Sequence, residues 1–398
     1  MEFYHIQNLL MNKRNIILNV LFVFIFNEIN SQDSAYSFID HLNFKGQFSS
    51  IIQYNPSNDL PFYNGNRYIP QLNVEFDYSK NQLIDFEASA NAYLNGSLEF
   101  FDSADYNSKI KPYRLWIRYS NPQFELRAGL QKINFGSATI LRPLMWFDQM
   151  DPRDPLQLTD GVYGLLARYY FLNNANVWLW LLYGNENVKG WEYIPANKNR
   201  PEFGGRLQYP VFTGELAISY HNREVEYSQL DTLNPMHLLE NSEENKIGID
   251  GKWDIGIGLW FETVFKYQDV PKDFIPWQQQ FNVGLDYTFG IGNGLSLITE
   301  FLWAGASDQA FYFKDGISFS AITLNYPIGL FDNVTGIIYY NWKDNDWYRF
   351  INWQRTYDRI SLYLMLFWNP EAFNIYQNLE QTNLFAGKGI QFMFVFNH

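Results

Sequence analysis

From about residue 42 onward the chain alternates apolar and polar side chains in stretches of roughly 9–13 residues, each followed by a break. Residues 122–131 are typical. Phe124, Leu126, Ala128 and Leu130 fall on one face, and Glu125, Arg127, Gly129 and Gln131 on the other. Side chains of a strand repeat every two residues, so one face can meet lipid and the other water. In residues 82–95, Asp85, Glu87, Ser89, Asn91 and Tyr93 share a face. In 214–221, Leu216, Ile218 and Tyr220 stand opposite Glu215, Ser219 and His221. Applied throughout, this test predicts about 18 strands, with 16 as an alternative. They run from 42–54 through 67–79, 82–95, 110–120 and 122–133 to 386–396.

Every second connection is short, as at 79–82, 120–123, 172–176, 209–213, 253–256, 289–294 and 356–359, and these are rich in Asn, Pro and Gly. The intervening connections are mostly longer: 96–109, 134–160, 185–202, 224–243 and 369–385. Short periplasmic turns alternating with long outer loops are the pattern of a bacterial transmembrane barrel, and an even strand count puts both termini in the periplasm. The predicted fold is therefore all-β, a closed antiparallel transmembrane β-barrel.

Composition sharpens this. Aromatic residues make up 19% of the 398 residues, with 13 Trp, 28 Tyr and 35 Phe. Yet mean hydropathy is −0.29. A helical membrane protein needs apolar runs of about 20 residues, and the chain beyond its N-terminus has none. A barrel reconciles the two facts, because lipid-facing and lumen-facing positions average out and aromatic girdles absorb the Phe, Tyr and Trp excess. The absence of cysteine excludes thiolate metal sites and disulfides. A net charge of −13 argues against nucleic acid as a partner.

The N-terminus has a different character. Lys13 and Arg14 precede an apolar core at 16–26, and a polar stretch follows to Ser31. This is the pattern of a secretory signal, too short to span a bilayer. The expectation is a cleaved segment 1–31, with Met11 as an alternative start, and one barrel domain over 32–398. The first strand follows too soon for the plug domain that TonB-dependent transporters carry ahead of their barrel.

One long connection stands apart. Residues 134–160 hold Ile140, Leu141, Leu144, Met145, Trp146 and Phe147, and Pro143, Pro152 and Pro155 stiffen the segment. An apolar loop is not expected to lie in water. It is expected to fold inward as the third outer loop and narrow the lumen. The runs RAGLQKINFG at 127–136 and WFDQMDPRDP at 146–155 resemble porin-like barrels of the Bacteroidota, and are distantly similar to alginate-export barrels and related 16- to 18-stranded porins. That resemblance covers about 110–171 and elsewhere rests on architecture. It implies a monomeric or trimeric barrel with an inward loop and passive, sometimes selective, transport. The segment 388–396, with Ile390, Phe392, Phe394 and Phe396 on one face, resembles the C-terminal strand by which outer-membrane proteins are recognised for assembly. Asn397 and His398 after the last aromatic depart from that pattern.

Candidate lumen chemistry centres on this loop. Arg114, Arg118, Arg127, Arg168 and Arg206 lie on the lumen-facing period of the flanking strands, and Arg142 and Arg153 in the loop. Carboxylates nearby are Glu75, Asp77, Asp85, Glu87 and Glu125 on strands, and Asp148, Asp151 and Asp154 in the loop. A basic ladder facing acidic loop residues makes a transverse field that filters ions. Cross-strand ion pairs that stiffen the wall explain the same residues. Trp116, between Arg114 and Arg118, could serve a sugar track or belong with the girdle aromatics. His41, His221, His237 and His398 sit in no catalytic motif, and no metal-ligand spacing occurs. No enzyme, cofactor or metal is expected. The functional expectation is an outer-membrane porin for small polar solutes, anionic or sugar-like, set in outer-membrane lipid, inserted by the barrel-assembly machinery and possible as a homo-oligomer. The alternative is a plugged structural or interaction barrel.

Overall fold

The computed structural model describes residues 41–99, 103–227, 241–271, 274–314, 316–370 and 384–398. The signal segment expected at 1–31 and His237 lie outside these. The described residues form 18 strands. They are β1 (Leu42–Tyr54), β2 (Phe62–Ser79), β3 (Gln82–Leu98), β4 (Ala104–Ser120), β5 (Phe124–Gln131) and β6 (Val162–Tyr170). There follow β7 (Asn176–Leu182), β8 (Glu202–Val211), β9 (Gly214–Val225), β10 (Ser242–Asp254), β11 (Gly258–Gln268) and β12 (Trp277–Phe289). The last are β13 (Leu295–Ser307), β14 (Gly316–Pro327), β15 (Asp332–Asn341), β16 (Asp346–Thr356), β17 (Ile360–Trp368) and β18 (Lys388–Asn397).

Strands pair with their chain neighbours, and β1 closes on β18 antiparallel, from Gln47 opposite Asn397 to Tyr54 opposite Ile390. Closure removes the sheet edges, whose unpaired N–H and C=O groups no hydrocarbon environment could satisfy. The expected all-β barrel of 18 strands is the observed fold.

Registry carries the alternation around the wall. Asp250 stands opposite Glu262, Glu262 opposite Asn282, and Asn282 opposite Leu302. All four are buried inside. On β9, Ser219 and His221 are buried while Leu216, Ile218 and Tyr220 are exposed on the outer face. Aromatic pairs mark both rims of that apolar face. Tyr54–Phe62, Tyr267–Trp277 and Tyr340–Trp347 lie at the ends bearing the longer loops, with ring centroids 4.8, 4.9 and 4.6 Å apart. Tyr169–Phe171, Tyr287–Phe289 and Phe331–Tyr357 lie at the short-turn end.

Two sequence expectations need correction. The predicted long connection 96–109 is only 99–103, because β3 and β4 continue as a paired ribbon, with Leu98 opposite Ala104. Likewise β2 starts at Phe62 rather than 67. In both places Asn and Gly read as breaks, but cross-strand pairing holds them extended.

Gly129 on β5 has a φ of +121°. A Cβ there would collide with the Leu115 carbonyl and come within 2.9 Å of the Trp116 Cα, both backbone. Gly129→Ala is expected to destabilise the barrel by ~1–3 kcal/mol. A lower temperature for loss of the folded band in unheated-versus-heated gel electrophoresis would show it.

Candidate functional site

The segment joining β5 to β6, residues 132–161, lies inside the barrel, as its partners show. Phe135, Leu144, Trp146 and Phe147 pack with Leu166, Trp180, Leu182 and Val264 of the inner wall. Phe135 stacks on Trp180 at 5.6 Å. Ile140 and Leu141 reach the far side and join Leu302, Phe319, Ala321, Ile337, Tyr348, Phe350 and Phe367 of β13–β17. A segment this apolar gains by leaving water, but its backbone must then find hydrogen bonds.

Two carboxylates supply them. Glu262 on β11 accepts from the backbone N–H groups of Ala138 at 2.7 Å and Leu144 at 3.0 Å. Glu300 on β13 accepts from Thr139 N–H at 2.7 Å and Leu141 N–H at 2.5 Å. The Ile140 N–H is 3.2 Å from both its oxygens. Asn282 between them donates to the Leu141 carbonyl at 2.8 Å. Successive N–H groups curled around an anion form a nest. Here the anion belongs to the opposite wall, so the loop is tied across the lumen.

The arginines divide into two groups. Arg118, Arg127 and Arg168 meet around Asp85 and Glu125. Arg118 grips Asp85 with two bonds of 2.8 and 2.6 Å. Arg127, Arg168 and Arg118 approach Glu125 at 3.1, 3.5 and 3.6 Å. Trp116 lies beside them, with the Arg127 and Arg118 guanidiniums 4.7 and 5.5 Å from its ring centroid. Glu87 sits opposite Trp116 and accepts from the Ser89 hydroxyl at 3.3 Å. Arg114, one step higher on β4, donates to the Thr159 carbonyl at 2.9 Å, and Lys111 pairs with Asp160 at 2.8 Å. Between this wall and loop residues such as Asp151 and Leu156 an open cleft remains, bordered by Arg67, Asn91 and Lys111.

Arg206 is separate. It forms a buried bidentate pair with Asp250 at 2.6 and 2.8 Å. The loop acids do not face the ladder as free charges. Asp148 pairs with Arg142 at 2.8 Å and Asp151 with Arg153 at 2.6 Å. Asp154 accepts from the backbone N–H of Leu156 at 3.0 Å.

The sequence reading missed a larger ionic cluster. The segment between β7 and β8 also turns inward and brings Lys189 and Glu192 against β8–β11. Lys189 pairs with Glu202 at 2.8 Å, and Arg223 lies 3.0 Å from Glu192 and 2.6 Å from Glu244. Lys246 lies 2.9 Å from Glu192, and Lys266 3.4 Å from Glu244. Burial pushes the Glu192 carboxyl up, but Arg223, Lys189 and Lys246 outweigh it and hold Glu192 below the usual carboxylate range. His221 is fully buried in this cluster. It accepts from the Trp180 indole at 3.2 Å and lies 3.3 Å from Glu202, so it acts as a packed polar residue of the wall. The two inward segments touch: the Trp191 indole donates to the Arg142 carbonyl at 2.7 Å, and the Gln149 amide to the Val188 carbonyl at 3.0 Å. A signal was present for Glu262 and Glu300, each a lone acid in an apolar strand. None was present for Lys189 and Glu192, which read as ordinary loop charges. Among the described residues no group of three or more His, Cys, Asp or Glu is arranged to hold a metal.

Removing the nest anion should free the loop. Glu300→Ala loses hydrogen bonds to a charged acceptor, each worth ~1.5–3 kcal/mol. Limited chymotrypsin digestion of the folded protein is expected to cut after Trp146 and Phe147 faster in the variant than in the parent.

No protein-family model matches this chain, and no curated protein matches it in sequence. Solved structures do match in fold. Against OccAB2 of Acinetobacter baumannii the identity is 9%, covering 91% of this chain and 99% of that one, with a TM-score of 0.54. Against OccD3 (OpdP) of Pseudomonas aeruginosa it is 9%, covering 92% and 93%, with a TM-score of 0.53. Against OccK5 (OpdH) of the same organism it is 12%, covering 91% and 99%, with a TM-score of 0.52. At such identities the likeness is one of fold alone, a closed β-barrel.

Proposed function

We propose that this chain is an outer-membrane channel for small polar solutes, with the loop at 132–161 as its constriction and an anion preference set by the β4–β6 arginines. One observation carries the reading. Arg118, Arg127 and Arg168 keep 26%, 15% and 15% of their side chains accessible on the inner wall, inside a barrel whose outer face is apolar. The three guanidiniums there meet around Asp85 and Glu125, with Glu87 beside them, and stay within reach of a solute passing along the inner wall. A fixed charge at a narrowing selects among ions. The outer apolar band between aromatic rims suits a bilayer, and residues 1–31 supply the export signal this location requires. Outward-facing Ile390, Phe392, Phe394 and Phe396 on β18 suit recognition by the assembly machinery. The likeness of 127–136 and 146–155 to Bacteroidota barrels favours the same class.

A second reading has its own observation. Ile140 and Leu141 are 3% and 0% exposed in a cluster spanning the lumen, as in a plugged barrel with a structural or interaction role.

The experiment is single-channel recording of the refolded protein in a planar bilayer under a KCl gradient. Steady conductance with a reversal potential on the anion side is expected. Replacing Arg118, Arg127 and Arg168 together by Gln leaves Asp85 and Glu125 uncompensated, so the reversal potential is expected to move toward cation preference. An unchanged potential would overturn the arginine filter, and no conductance from a folded barrel would favour the plug.

A further inference from the structure

The interior holds another opening, on the wall opposite the cleft bordered by Arg67, Asn91 and Lys111, at the end bearing the longer loops. It is a cavity of about 470 Å³ between the two inward segments and β10–β14, within the size range of small-molecule sites. Its walls differ in chemistry. Trp146, Trp191 and Tyr193 border it from the loops. Trp191 is held in place by its indole bond to the Arg142 carbonyl, while Tyr193 is 63% exposed. Gln278 and Gln280 border it from β12, both half-buried on the inner period, as Gln278 stands opposite Lys266 and Gln280 opposite Val264. Their cross-strand neighbours on β13 are Ala306 and Ala304, too small to fill the space above the amides.

Cations complete the lining. Lys266 and Lys246 border the cavity, and exposed Lys343 stands at its rim. In the ionic cluster behind them, Lys189, Arg223, Lys246 and Lys266 face Glu192, Glu202 and Glu244, four cations against three carboxylates. The surplus charge reaches the cavity through Lys266, whose side chain is 12% exposed and whose carboxylate contact is 3.4 Å.

We infer that this cavity is a binding site for a hydroxylated ring carrying one anionic group. The aromatic rings offer faces to a sugar ring's C–H surface, the Gln amides offer donors and acceptors to its hydroxyls, and the lysines attract its charge. A neutral sugar leaves the surplus cation unmatched, and a bare anion leaves the aromatic and amide walls unused. The site deepens the channel reading, as a capture point ahead of the constriction, and rests on it for that role alone.

The test uses the refolded full chain in detergent, titrated by calorimetry with glucose 6-phosphate, glucose and inorganic phosphate. Saturable binding of glucose 6-phosphate is expected, at least tenfold tighter than either of the others. Gln278→Leu with Gln280→Leu, and separately Tyr193→Ala, are each expected to weaken it tenfold or more. All of these side chains are partly exposed, and an unchanged heat-modifiable gel shift verifies that the variants fold. Absence of saturable binding would overturn the site, as would equal affinity for phosphate or for glucose, or full affinity in both variants. KCl conductance of the same preparation judges the channel separately. Conductance without binding overturns the site alone, and binding without conductance supports the site while overturning its place on a transport path.

Discussion

Every feature of this molecule depends on the closure of one sheet upon itself. Pairing β1 with β18 satisfies the last row of backbone groups and leaves no edge. It also converts a simple alternation along the chain into an inside and an outside. Once the ring is closed, each odd or even position has a fixed environment. A one-residue slip in any strand would turn carboxylates such as Glu262 and Asp250 toward lipid and Phe261 or Ile249 toward the lumen. The cost of such a slip is what holds the register.

Closure creates a further problem, the filling of an interior wider than two facing layers of side chains. The chain solves it with the segment between β5 and β6, whose apolar residues replace water against the inner wall. Moving a loop into such a space strands its peptide groups, and the structure meets that demand with Glu262 and Glu300. These two acids stay buried because the loop solvates them, and the loop stays inside because they do so. Neither arrangement makes sense alone. It also explains why Asp148 and Asp151 pair with Arg142 and Arg153 within the loop: a charge carried inward needs its partner close at hand.

The filling is uneven. Toward β6–β17 the loops pack tightly against much of the wall, and a dense ionic cluster around Glu192 and Glu244 holds the second loop beside the cavity at β10–β14. Toward β1–β5 the wall keeps accessible guanidiniums and an open cleft. A buried ion cluster is costly to form and costly to break, so it suits the task of fixing the second loop. Partly hydrated arginines retain a field that a solute can feel.

The sequence by itself determined the strand alternation, the all-β barrel and nearly every strand position, because a period of two is a local property that each strand displays without reference to its partners. It also marked the 134–160 loop as unfit for water, and the inner period of Arg114, Arg118, Arg127, Arg168 and Arg206. Strand ends in β2 and β4 escaped it, since Asn and Gly can turn or extend and only a paired neighbour decides between them. Tertiary structure alone decided which charges meet. Glu300 and Thr139 are 161 positions apart, and Lys189 meets Glu202 and Glu192 meets Lys246 only because the β7–β8 segment folds inward onto the wall. Charge pairing acts over a few ångströms, and the ring, not the order of residues, sets those distances.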